Sequence, residues 1–288
     1  MSKLASQAFL LYLLVLMAAL FYFTLGHPMQ ETFLTLASLA LIGLSLAMER
    51  LFPLHKDWNS DQGDTAGDVG SFVVIFGLLD GALKWLSPFA ILALFGNIGT
   101  ASTWPLWVQI VAATVLIEFG AWAIHFAHHK YRALWSLHVM HHSTERLYTL
   151  NNFRFHPLNH VLNYAAMFVP LLIFGISTEA LLAYTALSLP VLLFQHSNIA
   201  FDFGVLSHVF NTNTVHRWHH SAVYREVMHN FGRALVLWDH VFGTYHNPDA
   251  KAEPAQIGLS QSEALYPRAR HVLRQICWPF SANCCRSI

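Results

Sequence analysis

Residues 125–142 read HFAHHKYRALWSLHVMHH, six histidines in 18 residues. A second cluster, His216-Arg-Trp-His219-His220, follows further along the chain. An α-helix turns about 100° per residue, so positions i, i+3 and i+4 share one face. His138, His141 and His142 have that spacing, as do His216, His219 and His220. His125 and His129 stand at i and i+4, with His128 at i+3. Each cluster therefore projects its imidazoles from one face of one helix, and three such faces can surround a pair of metal ions. Neutral imidazole ligates iron and zinc alike. Buried together without metal, these rings would leave unpaired nitrogens or repelling charges.

The surrounding chain has a membrane composition. Of its 288 residues 55% are hydrophobic and 11% charged, against about 25% charged in an average soluble domain. The net charge of zero gives no support for nucleic-acid binding. Cys277, Cys284 and Cys285 form neither a spaced metal motif nor a disulfide framework. Uncharged or weakly charged apolar runs at 4–25, 32–48, 69–95, 106–128, 158–175 and 179–200 predict six spans. The polar loop 54–68, with Asp57, Asp61, Asp64 and Asp68, reads as solvated. Asp80 and Lys84, four apart in the third span, can pair on one helix face. Fifteen of the 16 Lys and Arg residues lie at the N-terminus, in loop 49–68, in 129–157 or after residue 200, with Lys84 the exception. With single passes those regions share one side, and the positive-inside rule makes it cytoplasmic. All the histidine clusters then gather at the cytoplasmic mouth. His125 and His129 close the fourth span, and His196 sits level with them at the end of the last.

Several separate motifs coincide between residues 115 and 246. They are His125-x3-His129, Trp135-x2-His138-x2-His141-His142-Ser143, Arg154-Phe155-His156-Pro157, His216-x2-His219-His220-Ser221, Asn230-Phe231-Gly232, and Trp238-Asp239-x2-Phe242-Gly243-Thr244-Tyr245. In order and spacing they resemble the fatty acid hydroxylase superfamily, also called the sterol desaturase family. The resemblance implies an all-α integral membrane helical bundle with a cytoplasmic histidine-rich catalytic cap. It divides the chain into an N-terminal transmembrane region (1–105), a catalytic domain that includes transmembrane helices (106–250) and an amphipathic tail (251–288). It implies two iron ions, which zinc can replace, and O2 as co-substrate. The nine ligands would be His125, His129, His138, His141, His142, His196, His216, His219 and His220. The family pattern is His-x3-His, which selects His129 over His128; helix geometry alone leaves that choice open. Glu118, two turns before His125, either holds an imidazole by its other N–H or pairs elsewhere in the bundle. Asn230 and Asp239 are expected to support the ligands from behind, and so is His156, although the resemblance leaves open whether this His touches metal.

The implied reaction is O2-dependent hydroxylation of an unactivated C–H bond in a membrane lipid, whether fatty acyl, sterol or related. A lipid or sterol desaturase using the same centre is the alternative within the family. A histidine-rich metal transporter or sensor is the alternative outside it, but it would place polar ligands at mid-membrane rather than at span ends. A zinc peptidase is disfavoured because H-E-x-x-H is absent. The chain has no G-x-G-x-x-G unit, so an external cytochrome- or ferredoxin-type electron donor with its reductase is implied. Residues 258–276 carry Leu265, Ala269, Val272, Leu273 and Ile276 at helical spacing, which predicts an amphipathic helix that docks on the membrane surface or packs on the catalytic domain.

Overall fold

A helix that begins in apolar surroundings and ends in histidines is the axis of the structure. The computed structural model describes residues 1–96, 99–248, 252–281 and 284; Cys285 lies outside them. Helices α1 (Lys3–Thr24) and α2 (Gln30–Leu51) form an antiparallel pair. Helix α3 (Thr65–Ser71) runs through a wider π-helical stretch, Phe72–Leu79, into α4 (Asp80–Phe95). Then come the axis itself, α5 (Leu106–Lys130), and the short α6 (Arg132–His142). A hairpin follows, made of α7 (Pro157–Phe174) and α8 (Thr178–Phe194). The remainder carries only short helices, α9 (Asn213–His219), α10 (Tyr224–Val227), α11 (Leu237–Phe242) and α12 (Val272–Cys277). Extended strands are absent among the described residues, which leaves an all-helical protein.

Five stretches are long and apolar enough to cross a membrane: α1, α2, the continuous run Thr65–Phe95, α5 and α7. The chain is thus a multi-pass membrane protein. The sixth expected span is shorter than predicted, because α8 stops at Phe194. Polar side chains take over from there. Gln195 Nε2 donates to the Asn211 and Arg233 carbonyls, and the Asn198 amide donates to Glu49 Oε1. His196 therefore sits in a turn beyond the helix.

Apolar seams hold the bundle together. Leu10, Leu13 and Met17 of α1 pack with Leu34, Leu41 and Met48 of α2 and with Ala186, Val191 and Phe194 of α8. Ala113 and Ile117 of α5 meet Leu171 of α7 and Ala180 and Tyr184 of α8. The α5–α7 crossing is close enough that a Cβ on Gly120 would stand 2.2 Å from the Ala166 carbonyl oxygen. Lipid-facing side chains such as Phe23, Leu94 and Trp107 remain exposed. Asp80 and Lys84 form the expected i, i+4 pair at 2.7 Å.

Two expectations fail, one in the stretch 54–68 and one in the tail. The acidic loop is not fully solvated: Asp57 and Asp61 are exposed, but Asp64 and Asp68 are buried. Arginines from the segment after α6 reach them. Arg146 Nη2 donates to Asp64 Oδ1 at 2.6 Å, and Arg154 Nη1 bonds Asp68 Oδ1. Tyr148 and Asn151 donate to the other oxygen of Asp68. The tail is not one amphipathic helix either; only Val272–Cys277 is α-helical. Pro267 cannot donate an amide in a helix interior, and the tail's polar groups are spent on the cap. Arg154 Nη2 donates to the Ala269 carbonyl and to Gln275 Oε1, while Gln275 Nε2 donates to Ser143 Oγ and the Pro267 carbonyl. Of the two readings of the tail, packing on the catalytic half is the one these contacts carry.

Candidate metal centre

The end of α5, the whole of α6, the turn after α8 and helix α9 converge at one buried point. Ring nitrogens of His125, His129, His138, His142 and His219 lie within 4.8 Å of one another, and so do those of His141, His196, His216 and His220. These are the nine histidines expected from the sequence. Neither group contains a carboxylate. The groups adjoin: the His142 and His220 rings stack with centroids 4.4 Å apart.

Carbonyl oxygens behind the cluster set the tautomers. A carbonyl can only accept, so each bond to one makes Nδ1 the protonated nitrogen and leaves Nε2 with its lone pair. His125 Nδ1 donates to the Phe231 carbonyl at 3.0 Å, His219 Nδ1 to the His229 carbonyl at 2.7 Å, and His141 Nδ1 to the Arg154 carbonyl at 3.2 Å. His138 Nδ1 faces the side-chain oxygen of Asn159 at 3.2 Å. Within the nine, five ring nitrogens are then buried with no hydrogen-bond partner: Nε2 of His125, His129 and His219, and Nδ1 of His142 and His196. So many orphaned lone pairs at one point are what a bound cation would satisfy. Burial first, and neighbouring imidazoles second, hold His138, His142, His216 and His220 well below the usual imidazole range. Burial likewise lowers His141 and His219, and brings His196 down to about 3. The rings are neutral at physiological pH, the form that binds metal.

The supporting residues divide. Asp239 accepts from the Phe231 and Gly232 amides, at 2.9 and 2.8 Å, and so fixes the carbonyl that orients His125. Asn230 takes φ 59°, and its side chain donates to the Val215 and His246 carbonyls, which fixes the segment carrying the His229 carbonyl. Glu118 touches no imidazole. It accepts from Tyr184 Oη and from the Ala234 and Leu235 amides, pairing elsewhere in the bundle. His156 also turns away from the cluster. Its Nδ1 accepts from the Leu158 amide as the N-terminal cap of α7, and its Nε2 donates to the Ile276 carbonyl.

Asn159 belongs to no sequence motif, yet it is part of the site. It joins two histidines, because its Nδ2 donates to His128 Nε2 at 2.8 Å while its Oδ1 faces His138. The available signal was an amide near the start of an otherwise apolar helix, where polar groups tend to have a task. His128 thus has its own partner, outside both nitrogen groups. His128→Ala is expected to keep bound metal and a substantial share of activity, whereas His129→Ala loses both. Metal content and product yield at matched protein levels check this, and the reverse pattern would shift the motif by one residue.

The fatty acid hydroxylase family pattern matches residues 110–244, the stretch that supplies all nine histidines. The chain is also similar to the ornithine lipid hydroxylase OlsE of Rhizobium tropici. The two are 30% identical over 268 residues, which cover 90% of this chain and 79% of that one. The chain belongs to the fatty acid hydroxylase superfamily. It is therefore an oxidoreductase of the lipid hydroxylase kind, from a family that depends on iron. No solved structure matches this hydroxylase.

Proposed function

We propose that this hydroxylase uses two iron ions, held by the nine clustered histidines, and O2 to hydroxylate an unactivated C–H bond of a membrane lipid. The observation that carries the reading is the pair of adjoining, carboxylate-free imidazole groups, with more ring nitrogens than one metal can accept. Iron bound there supplies the reactivity toward O2 that no side chain has. One oxygen atom enters the lipid, the other leaves as water, and two electrons with two protons come from outside. A cytochrome- or ferredoxin-type donor fills that role.

The chain's own part is binding, orientation and exclusion of water. The Phe231, His229 and Arg154 carbonyls aim the His125, His219 and His141 rings. Phe155 lies flat on His141 at 4.5 Å, and Trp135 stands 5.0 Å from His129, so apolar faces close the site. A lipid tail can approach sideways from the bilayer along such faces. The similar enzyme is named for an ornithine lipid, which makes an amino-acid-headed lipid the first substrate to try.

Lipid extracts from cells with and without the protein test the reaction. A species heavier by one oxygen atom is expected, together with two iron ions per chain in active protein. A single iron, or no oxidised lipid in an iron-replete host, would sink the reading.

The Lys and Arg distribution supports a cytoplasmic site. A single cysteine placed at Asp57 in a cysteine-free background is expected to resist an impermeant thiol reagent in sealed cells, and one at Ser102 to react with it. Both positions are exposed, so labelling of both from outside would refute this topology.

A further inference from the structure

Most buried arginines of this protein have a visible partner. Arg146 holds Asp64 and Arg154 holds Asp68, and the half-buried Arg233 donates to Tyr184 Oη. Arg217 does not. It is 5% exposed, yet among the described residues no hydrogen-bond acceptor or carboxylate is in bonding distance of its guanidinium, and it lies over no aromatic ring. Its one electrostatic partner is Glu253, and that carboxylate is bonded to His55 Nε2 at 2.8 Å.

The location gives this unanswered charge a meaning. Arg217 falls between His216 and His219 in α9, and it stands at i and i+3 with His220, on the same flank of the helix. One turn earlier Asn213 has a buried side-chain oxygen with no partner. Arg217 thus has metal-ligand candidates beside it in sequence and feels the charge of Glu253, whose side chain is 29% exposed, as that of His55 is 38% exposed. The nine histidines are neutral ligands, so they would leave the charge of any bound cation uncompensated. A buried cation beside such a centre calls for an anion, and among the described residues Glu253 acts on it without forming an ion pair.

We propose that Arg217 receives the anionic headgroup, carboxylate or phosphate, of the lipid substrate and so sets which end of the lipid faces the metal centre. This rests on the lipid hydroxylase reading above. The planar guanidinium suits either group through paired N–H bonds, and the headgroup would stay on the aqueous flank while the chains run toward the bilayer. The rival occupant is Glu253, released from His55.

The test is native mass spectrometry of the full-length chain from detergent micelles. The probes are phosphatidic acid, an N-acyl amino acid and diacylglycerol with matched chains. The unmodified protein is expected to retain both anionic lipids about tenfold or more over diacylglycerol. Arg217→Gln should erase that preference without changing diacylglycerol retention, and Arg217→Lys should keep part of it. Glu253→Gln should leave the preference intact or raise it. Equal retention of all three lipids, preference persisting in Arg217→Gln, or its loss in Glu253→Gln would each overturn the proposal. If Arg217→Gln fails to fold, Arg217→Lys decides: a reduced preference supports the assignment and an unchanged one overturns it. Inorganic phosphate and acetate are added as competitors. Failure to displace lipid supports a lipid headgroup, and displacement at lipid-equivalent concentration overturns it. Retention is read without turnover, so absence of oxidised lipid in cells would remove the hydroxylase reading while leaving this result to stand or fall separately.

Discussion

His219→Ala is expected to abolish lipid oxidation and to lower the iron content of the purified protein. Its ring lies at the heart of the first imidazole group, with centroids 4.3 Å from His125, 4.6 Å from His129 and 4.9 Å from His142. Its Nδ1 is fixed by the His229 carbonyl, and its Nε2 is buried without a partner. Changing a residue behind a metal ligand commonly costs 10–100-fold; removing the ligand itself should cost more than about a hundredfold in product formed per chain. Product and iron are measured on protein purified at equal yield. Full iron with unaltered turnover would show that His219 is not a ligand.

The second large effect concerns folding. Asp68→Ala should destabilise the protein by about 3–5 kcal/mol, the usual cost of stranding one member of a buried ion pair. Both partners are fully buried, with side-chain exposures of 0%. In thermal unfolding the loss would appear as a drop on the order of 10 °C. The paired change Asp68→Asn with Arg154→Met should be milder than either single loss, since no orphan charge remains. Because the Arg154 carbonyl accepts from His141, iron retention should fall in step with stability in Asp68→Ala. A melting point unchanged by Asp68→Ala would mean that the pair contributes nothing net.

The histidine geometry was legible because a helix period of 3.6 residues converts spacing into a shared face with no further information. The same holds for the Asp80–Lys84 pair. Contacts between distant segments left no such trace. Asp64 and Asp68 sit in a polar stretch whose composition matches a solvated loop; their burial depends on Arg146 and Arg154, more than 80 positions away. Tail periodicity misled for a related reason. Leu265, Ala269, Val272, Leu273 and Ile276 fit a helical stripe, but Pro267 and bonds from Arg154, His156 and Gln275 decide the local backbone. His156 sits in a family motif, yet its work is capping α7 and tying down Ile276. Asp239 and Asn230 act through backbone carbonyls, which carry no residue signature at all.

The tail that packs against the cap also imposes an order on biosynthesis. All nine histidines precede residue 221, whereas the segment that bonds to the His220 carbonyl through Gly258, and to Arg154 and Ser143 through Gln275, is translated afterwards. A nascent chain therefore presents its imidazoles before the last strap can close over them. Any metal that met the imidazoles at that stage would do so before the bonds from Gly258 and Gln275 are in place.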